Sequence, residues 1–324
     1  MSSCFRHLCL LMVFSIGCAL PQESSDFAVM PSSEDGEVFL SSKELMVSGL
    51  VSESIGVAGR GRLFDAEARL RRALMLSPGE PTIMFNLAVV LSQQGYAEEA
   101  TELLKELRAK QGDHPRYAIA MADVHLGQRR LAQAREELKL AYEAFSQAAN
   151  WPQAATVARS ISNLAFAEGA EQEALCYSYE AFVLDQSATQ LGYHASMLVA
   201  LNLLTTADTF VGEQLALSPS LGALPRVHLA RALARGGLKN MTGAVDEIEQ
   251  AQNLLAQDPE IGAEVNVVWW LFRKQIPETE EDRQDTKLQE SLEAIEPEVV
   301  RLRDKPTYNM VRWPVAVLGM LYQS

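Results

Sequence analysis

Three alanines, Ala66, Ala100 and Ala134, recur at intervals of 34 residues. A fixed period of that length marks stacked helical hairpins, because one hairpin cannot bury its apolar face alone and must repeat to build a continuous core. The chain is therefore expected to be all-α, an array of two-helix units whose inner side offers an extended surface.

The cleanest unit runs from Ile83 through Leu87-Ala88 and Leu91 to Gln94-Gly95, then through Glu98-Glu99-Ala100 to Leu104 and Leu107. This order resembles the tetratricopeptide repeat, in which a Leu-small pair and a turn glycine on the first helix are followed by alanine and a bulky residue on the second. Ala88 and Ala100 are small where the two helices cross, and Gly95 gives the turn its permissive backbone. The same register, moved backwards, takes in Gly61, Ala66, Leu70, Ala73 and Pro78. The helix before Gly61 is expected to be poor, since Ser54 and Gly56 fall where strong helix formers belong.

Moved forwards, the register reaches Met121-Ala122, His125, Ala134, Leu138 and Ala141, with Arg129 at the turn-glycine place and Gly127 two residues away. A fourth unit contains Ile161-Ser162, Ala165, Gly169, Ala174 and Ala181; its six extra residues are assigned to Ala149-Asn150-Trp151-Pro152, where one helix would end and the next restart. Looser units follow at Leu191, Ala195, Leu198, Ala207, Val211 and Leu217, and at Leu229-Ala230, Leu233, Gly237, Ala244, Ile248 and Ala251. The resemblance implies an α-solenoid of about five to six such units plus C-terminal capping helices.

The ends are organised differently. Arg6 followed by the apolar run Leu8–Ile16 reads as an export signal, too short to span a bilayer as a helix, which needs about 20 residues. Ser15-Ile16-Gly17-Cys18 resembles a lipobox, which would make Cys18 the site of lipidation; cleavage after Ala19 is the competing ending, and both export the chain. Residues 19–42 are rich in Ser, Pro and acid and read as a flexible tether. The expected organisation is an export signal over 1–18, the tether over 19–42, the array over 43–259 and a helical cap over 260–324. Within the cap, Val265–Phe272 should be a buried helix, Leu288, Leu292 and Ile295 a helical stripe broken at Pro297, and Trp313–Leu321 either a docked end or an exposed patch. The acidic run Glu278, Glu280, Glu281, Asp282 and Asp285 reads as a solvated loop.

A net charge of −14 and a pI of about 4.9 would repel phosphate backbones, so nucleic acid is not an expected partner. Of four cysteines only Cys176 lies in the folded body, which excludes an internal disulfide; a packed thiol is expected there. The histidines lack metal-ligand spacing, and no HExxH, CxxC or phosphate-binding loop is present, so no cofactor, metal or catalytic residue is expected.

In an array of this kind the first helix of each hairpin lines the inner curve. Counting from each Leu-small pair places Phe85, Val89, Gln93, Ile119, Asp123, Arg159, Asn163 and Ser196 on it, a surface suited to an amphipathic helix or extended peptide. The expected function is a non-catalytic protein–protein interaction scaffold or assembly factor of the bacterial cell envelope, anchored in the outer membrane by lipid. It is similar in layout to lipid-anchored tetratricopeptide proteins that assist pilus secretins or β-barrel proteins. The alternatives are a soluble periplasmic or secreted adaptor of the same fold, and an enzyme whose site is assembled in the groove, for instance from His125, Asp123 and Arg159.

Overall fold

The computed structural model describes residues 42–305 and 313–323, and among them only helices and turns are present. In chain order the helices are α1 (Ser42–Ala58), α2 (Leu63–Leu76), α3 (Pro81–Gln93), α4 (Ala97–Gln111), α5 (Pro115–Gly127), α6 (Leu131–Gln147), α7 (Trp151–Glu168) and α8 (Glu171–Leu184). They continue as α9 (Ala188–Ala200), α10 (Leu204–Leu217), α11 (Pro225–Gly237), α12 (Met241–Asn253), α13 (Gly262–Gln275), α14 (Glu280–Gln284), α15 (Thr286–Asp304) and α16 (Val315–Gln323). The chain divides into two compact units, with the boundary inside α7 between Leu164 and Ala165. In the first, α1 packs on α2, α3 on α4 and α5 on α6; in the second, α9 packs on α10 and α11 on α12. This is the expected all-α solenoid class. The leader, Cys18 and the tether as far as Ser41 lie outside the described residues.

Every hairpin turn is built the same way. Gly61, Gly95, Arg129, Gly169, Asn202 and Lys239 each adopt a positive φ, between 59° and 86°, two residues before the second helix begins. The residue after each donates its N–H to the carbonyl five positions back, as Tyr96 does to Leu91 and Asn240 to Arg235. That is the six-to-one bond of a Schellman cap, which satisfies an orphan carbonyl at the end of the first helix. Arg129 itself takes the left-handed conformation, and Gly127 remains inside α5, so the nearby glycine does not substitute for it. In the last hairpin the turn residue is Lys239 and not Gly237. A side chain in that conformation costs about 1 kcal/mol, which the packed helices on either side sustain.

Packing follows the turns. Five residues past each turn residue stands an alanine of 0% exposure: Ala66, Ala100, Ala134, Ala174, Ala207 and Ala244. Seven residues before it stands a small residue just as buried, in the order Ser54, Ala88, Ala122, Ser162, Ala195 and Ala232. The two rows let paired helices approach closely. Ser54 is thus in register rather than a helix breaker: α1 runs through it, with its hydroxyl donating to the Val51 carbonyl at 2.6 Å. The six residues that lengthen the fourth period are taken up where α6 ends at Gln147 and α7 restarts at Trp151, around Ala149 at φ 53°. Two apolar expectations fail, because Cys176 and Leu217 are exposed.

The C-terminal helices close the second unit. Val265, Val267, Val268, Trp269, Leu271 and Phe272 of α13 are buried. A Cβ on Gly236 would overlap the Phe272 ring, and one on Gly237 would lie 2.6 Å from Leu204 Cδ1 and 3.1 Å from Pro314 Cβ. Those glycines therefore serve close approach of the cap. Pro297 does not break α15, which continues to Asp304 because Leu292, Val299 and Leu302 are buried on both sides of it. Trp313, Val317, Leu318 and Leu321 are docked in the same core. The acidic run is not a plain solvated loop: Asp282 pairs with Arg273 and accepts from Thr279 N at 2.9 Å, while Asp285 caps α15 at the N–H groups of Lys287 and Leu288.

Candidate partner-binding surface

On the first helices of the unit ending at Leu164, burial leaves one face accessible. In α3, Ile83 to Ala88, Val90 and Leu91 are buried, whereas Val89 is half-buried and Gln93 exposed. In α5, Ala118, Ala120, Met121, Ala122 and Val124 are buried and Ile119 and Asp123 are half-buried. In α7, between Ala154 and Leu164, the accessible residues are Thr156, Arg159 and Asn163. Val89, Asp123 and Asn163 each stand six residues before the turn residue of their hairpin, and Ile119 and Arg159 stand ten before it. Helices α3 and α5 lie side by side, so Val89, Gln93, Ile119 and Asp123 share one surface.

Phe85 occupies the same register but is only 6% exposed, its ring 5.8 Å from that of Tyr117 on α5. It supports the surface from beneath. Asp123, Arg159 and Asn163 each already hold an interaction within the chain. Ser196 belongs to the other unit, on α9, half-buried with its hydroxyl donating to the Gly192 carbonyl at 2.7 Å.

The chemistry around this face is positional. His114 Nδ1 accepts from Arg116 N at 3.2 Å at the start of α5, and burial followed by the nearby Arg116 charge lowers its pKa. Burial likewise lowers that of His125, Glu137 opposing and Arg130 and Arg108 adding to it. His125 Nδ1 is enclosed without a hydrogen-bond partner. The second helices are laced by ion pairs, with Arg71 bridging Glu67 and Glu99 and Arg108 held by Glu137.

Two polar clusters in the unit starting at Ala165 escaped the sequence reading, which found only that the histidines lack metal-ligand spacing. Ser178 Oγ donates to the Leu175 carbonyl at 2.9 Å and lies 2.8 Å from His194 Nδ1. The single hydroxyl proton being used, the imidazole must donate, which places its proton on Nδ1. Burial pushes the His194 pKa down to about 4. In the second cluster Asp208 Oδ1 accepts from Arg231 Nε at 2.8 Å and from Arg235 Nε at 2.9 Å, while Glu247 accepts from both arginines and from His228 Nδ1 at 2.8 Å. His228 Nε2 faces the Gly222 carbonyl at 3.1 Å. Although desolvation alone would raise the Asp208 pKa, the two guanidinium groups bring it below the ordinary value. These carboxylates are held by arginine and histidine donors of the neighbouring helix, so the cluster ties α10, α11 and α12 together. A register signal was present: Ser178 stands where Leu104 and Leu138 stand, and His194 and Arg231 stand where Leu87, Met121 and Ile161 stand.

Among the described residues no group of His, Cys, Asp and Glu is arranged to hold a metal ion, and no helix is long and apolar enough to cross a membrane. The fold and its inner faces define a helical-repeat protein of the interaction-scaffold class. A family model described as tetratricopeptide repeat matches residues 58–124, from the end of α1 into α5. Two solved structures share the fold. The PilF protein of Pseudomonas aeruginosa is 17% identical, with a TM-score of 0.51 over 73% of this chain and 100% of its own. A tetratricopeptide repeat protein from Parabacteroides merdae is 12% identical, with a TM-score of 0.53 over 86% of this chain and 99% of its own. No curated protein matches in sequence.

Proposed function

We propose that the chain is a non-catalytic protein–protein interaction scaffold or assembly factor of the bacterial cell envelope, receiving a partner's helix or extended peptide on the accessible faces of α3, α5 and α7. The observation that carries this reading is the shared register of Val89, Ile119, Asp123, Arg159 and Asn163 on helices whose other central residues are almost all buried. Half-buried apolar side chains beside polar ones give a docking strip both desolvation energy and orientation. The envelope assignment rests on the apolar leader and on the lipobox-like Ser15-Ile16-Gly17-Cys18, which together describe an exported chain anchored through lipid on Cys18 and facing the periplasm of an outer membrane.

A photocrosslinking amino acid at Ile119 or Asn163, compared with one at the exposed Met75 of α2, tests the strip in the native host. The expected result is one adduct shared by the first two positions and missing from the third, weakened by Arg159→Glu. Equal adducts from all three positions, or none from Ile119 and Asn163, would overturn the docking strip. Metabolic labelling with palmitate, lost in Cys18→Ser, tests the anchor separately, and an unlabelled wild type leaves export without lipid.

A further inference from the structure

Helix α13, the loop after it and the first turns of α15 enclose a cavity of about 320 Å³, at the small end of ligand-binding cavities, which run from about 300 to 1,000 Å³. Its apolar wall is made by Ile276, Pro277, Leu288 and Leu292. Its polar lining is three cations, Arg273, Lys274 and Arg283, against one carboxylate, Glu278. Arg273 is already paired with Asp282, so the positive charge left open to a ligand is that of Lys274 and of Arg283, the latter only loosely met by Glu278.

The walls are fixed. Trp270 Nε1 donates to the Leu292 carbonyl at 3.0 Å, joining α13 to α15. Arg273 is held by Asp282, itself anchored by Thr279, and Gln289 Nε2 reaches the Asp282 carbonyl at 3.2 Å. The two remaining cations are less committed. Lys274 lies over the Trp270 ring at 5.8 Å and pairs with no carboxylate among the described residues, and Arg283 meets Glu278 only at 3.9 Å with most of its side chain in solvent.

We propose that this cavity binds an apolar carboxylate, its anionic end between Lys274 and Arg283 and its hydrocarbon body against Leu288 and Leu292. Glu278 competes with the incoming group for Arg283. A free branched-chain acid and the terminal carboxylate of a peptide ending in leucine present the same chemistry. The probes are therefore 4-methylpentanoate, a hexapeptide ending in leucine and its C-terminal amide, titrated into the full chain by calorimetry and by nuclear magnetic resonance of the Trp270 indole.

Saturable binding of an acid sustains the proposal when Lys274→Ala and Arg283→Ala each weaken it about tenfold, one charge-assisted hydrogen bond, and Glu278→Gln strengthens it. Tighter binding of the peptide than of the free acid names a chain terminus as the source; the reverse names a small acid. Because Lys274 and Arg283 are not buried, both variants should keep the wild-type circular dichroism and melting curve. No saturation by either acid up to about 10 mM, peptide binding that amidation leaves unchanged, or binding indifferent to all three substitutions overturns the proposal.

Discussion

The two units keep the same hairpin register around each turn by different chemistry. In the unit ending at Leu164 the second helices keep Leu70, Leu104 and Leu138 in one buried row, and ion pairs such as Arg71 with Glu99 run along the surface. In the other unit the equivalent row reads Ser178, Val211 and Ile248, and the facing first helices carry His194, Arg231 and Arg235. A hairpin array fixes helix spacing through small residues at the crossings and leaves the large positions open to either oil or a satisfied polar network. The difference lies in how each fails. An apolar row loses area in proportion to what is removed, whereas a saturated network leaves uncompensated charge when one member goes.

The largest expected effect is therefore Glu247→Leu. It strips the shared acceptor from Arg231, Arg235 and His228 on a residue only 8% exposed, and breaking such a network costs about 3–5 kcal/mol. Hydrogen exchange should show α10, α11 and α12 losing protection while α3 and α4 keep theirs. Uniform loss across both units would mean that the network does not act locally. Leu104→Ala is the counterpart in the apolar row and should cost about 3 kcal/mol, read by urea denaturation with protection lost in α3 and α4 first. If it costs more than Glu247→Leu, the distinction drawn between oil and network has no energetic content.

The same contrast explains what could be read from the sequence. The alanine rows and the 34-residue step were legible because a crossing accepts only small side chains, and that steric demand repeats with the backbone. Trp151-Pro152 and the six extra residues were legible for a related reason, since proline belongs in a first turn. The clusters around Ser178 and Asp208 were not, because a polar side chain at an apolar register is judged by the partner it meets, and that partner lies 16 to 27 residues away. Pro297 misled for lack of tertiary context: packing of Val299 and Leu302 carries α15 past the missing hydrogen bond. The accessible faces of α3, α5 and α7 were marked by counting, but Phe85 proved to be support because Tyr117 covers it.

A pH titration sharpens the contrast at a smaller scale. His194 has a folded pKa of about 4, depressed below the ordinary 6.5 by burial. Between those values the unfolded chain binds the proton and the folded chain does not, so the stabilising contribution is complete above pH 6.5 and is lost as the pH falls toward 4. By about pH 4.5 the loss should reach about 2 kcal/mol. His194→Gln retains a donor for Ser178 without the titration, so its stability curve should fall less steeply over that window once the carboxylates common to both proteins are subtracted. Parallel curves would show that His194 accepts its proton without penalty and that the Ser178 pair is not closed to water.

The smallest effects come from the turns, where the two units can be exchanged one residue at a time. Gly95 and Lys239 hold the same left-handed position, at φ 86° and 64°. A Cβ on Gly95 meets nothing within 4 Å, and Lys239 is exposed, so sterics beyond the backbone do not enter. Lys239→Gly should stabilise the second unit and Gly95→Lys destabilise the first, each by about 1 kcal/mol. Equal and opposite shifts in urea midpoint would show that the turn contributes through φ alone and that the lysine is tolerated because the cap bond from Asn240 to Arg235 persists. A Lys239→Gly variant with no gain would instead place the compensation in the unfolded chain, whose extra freedom with glycine offsets the strain relieved in the folded one.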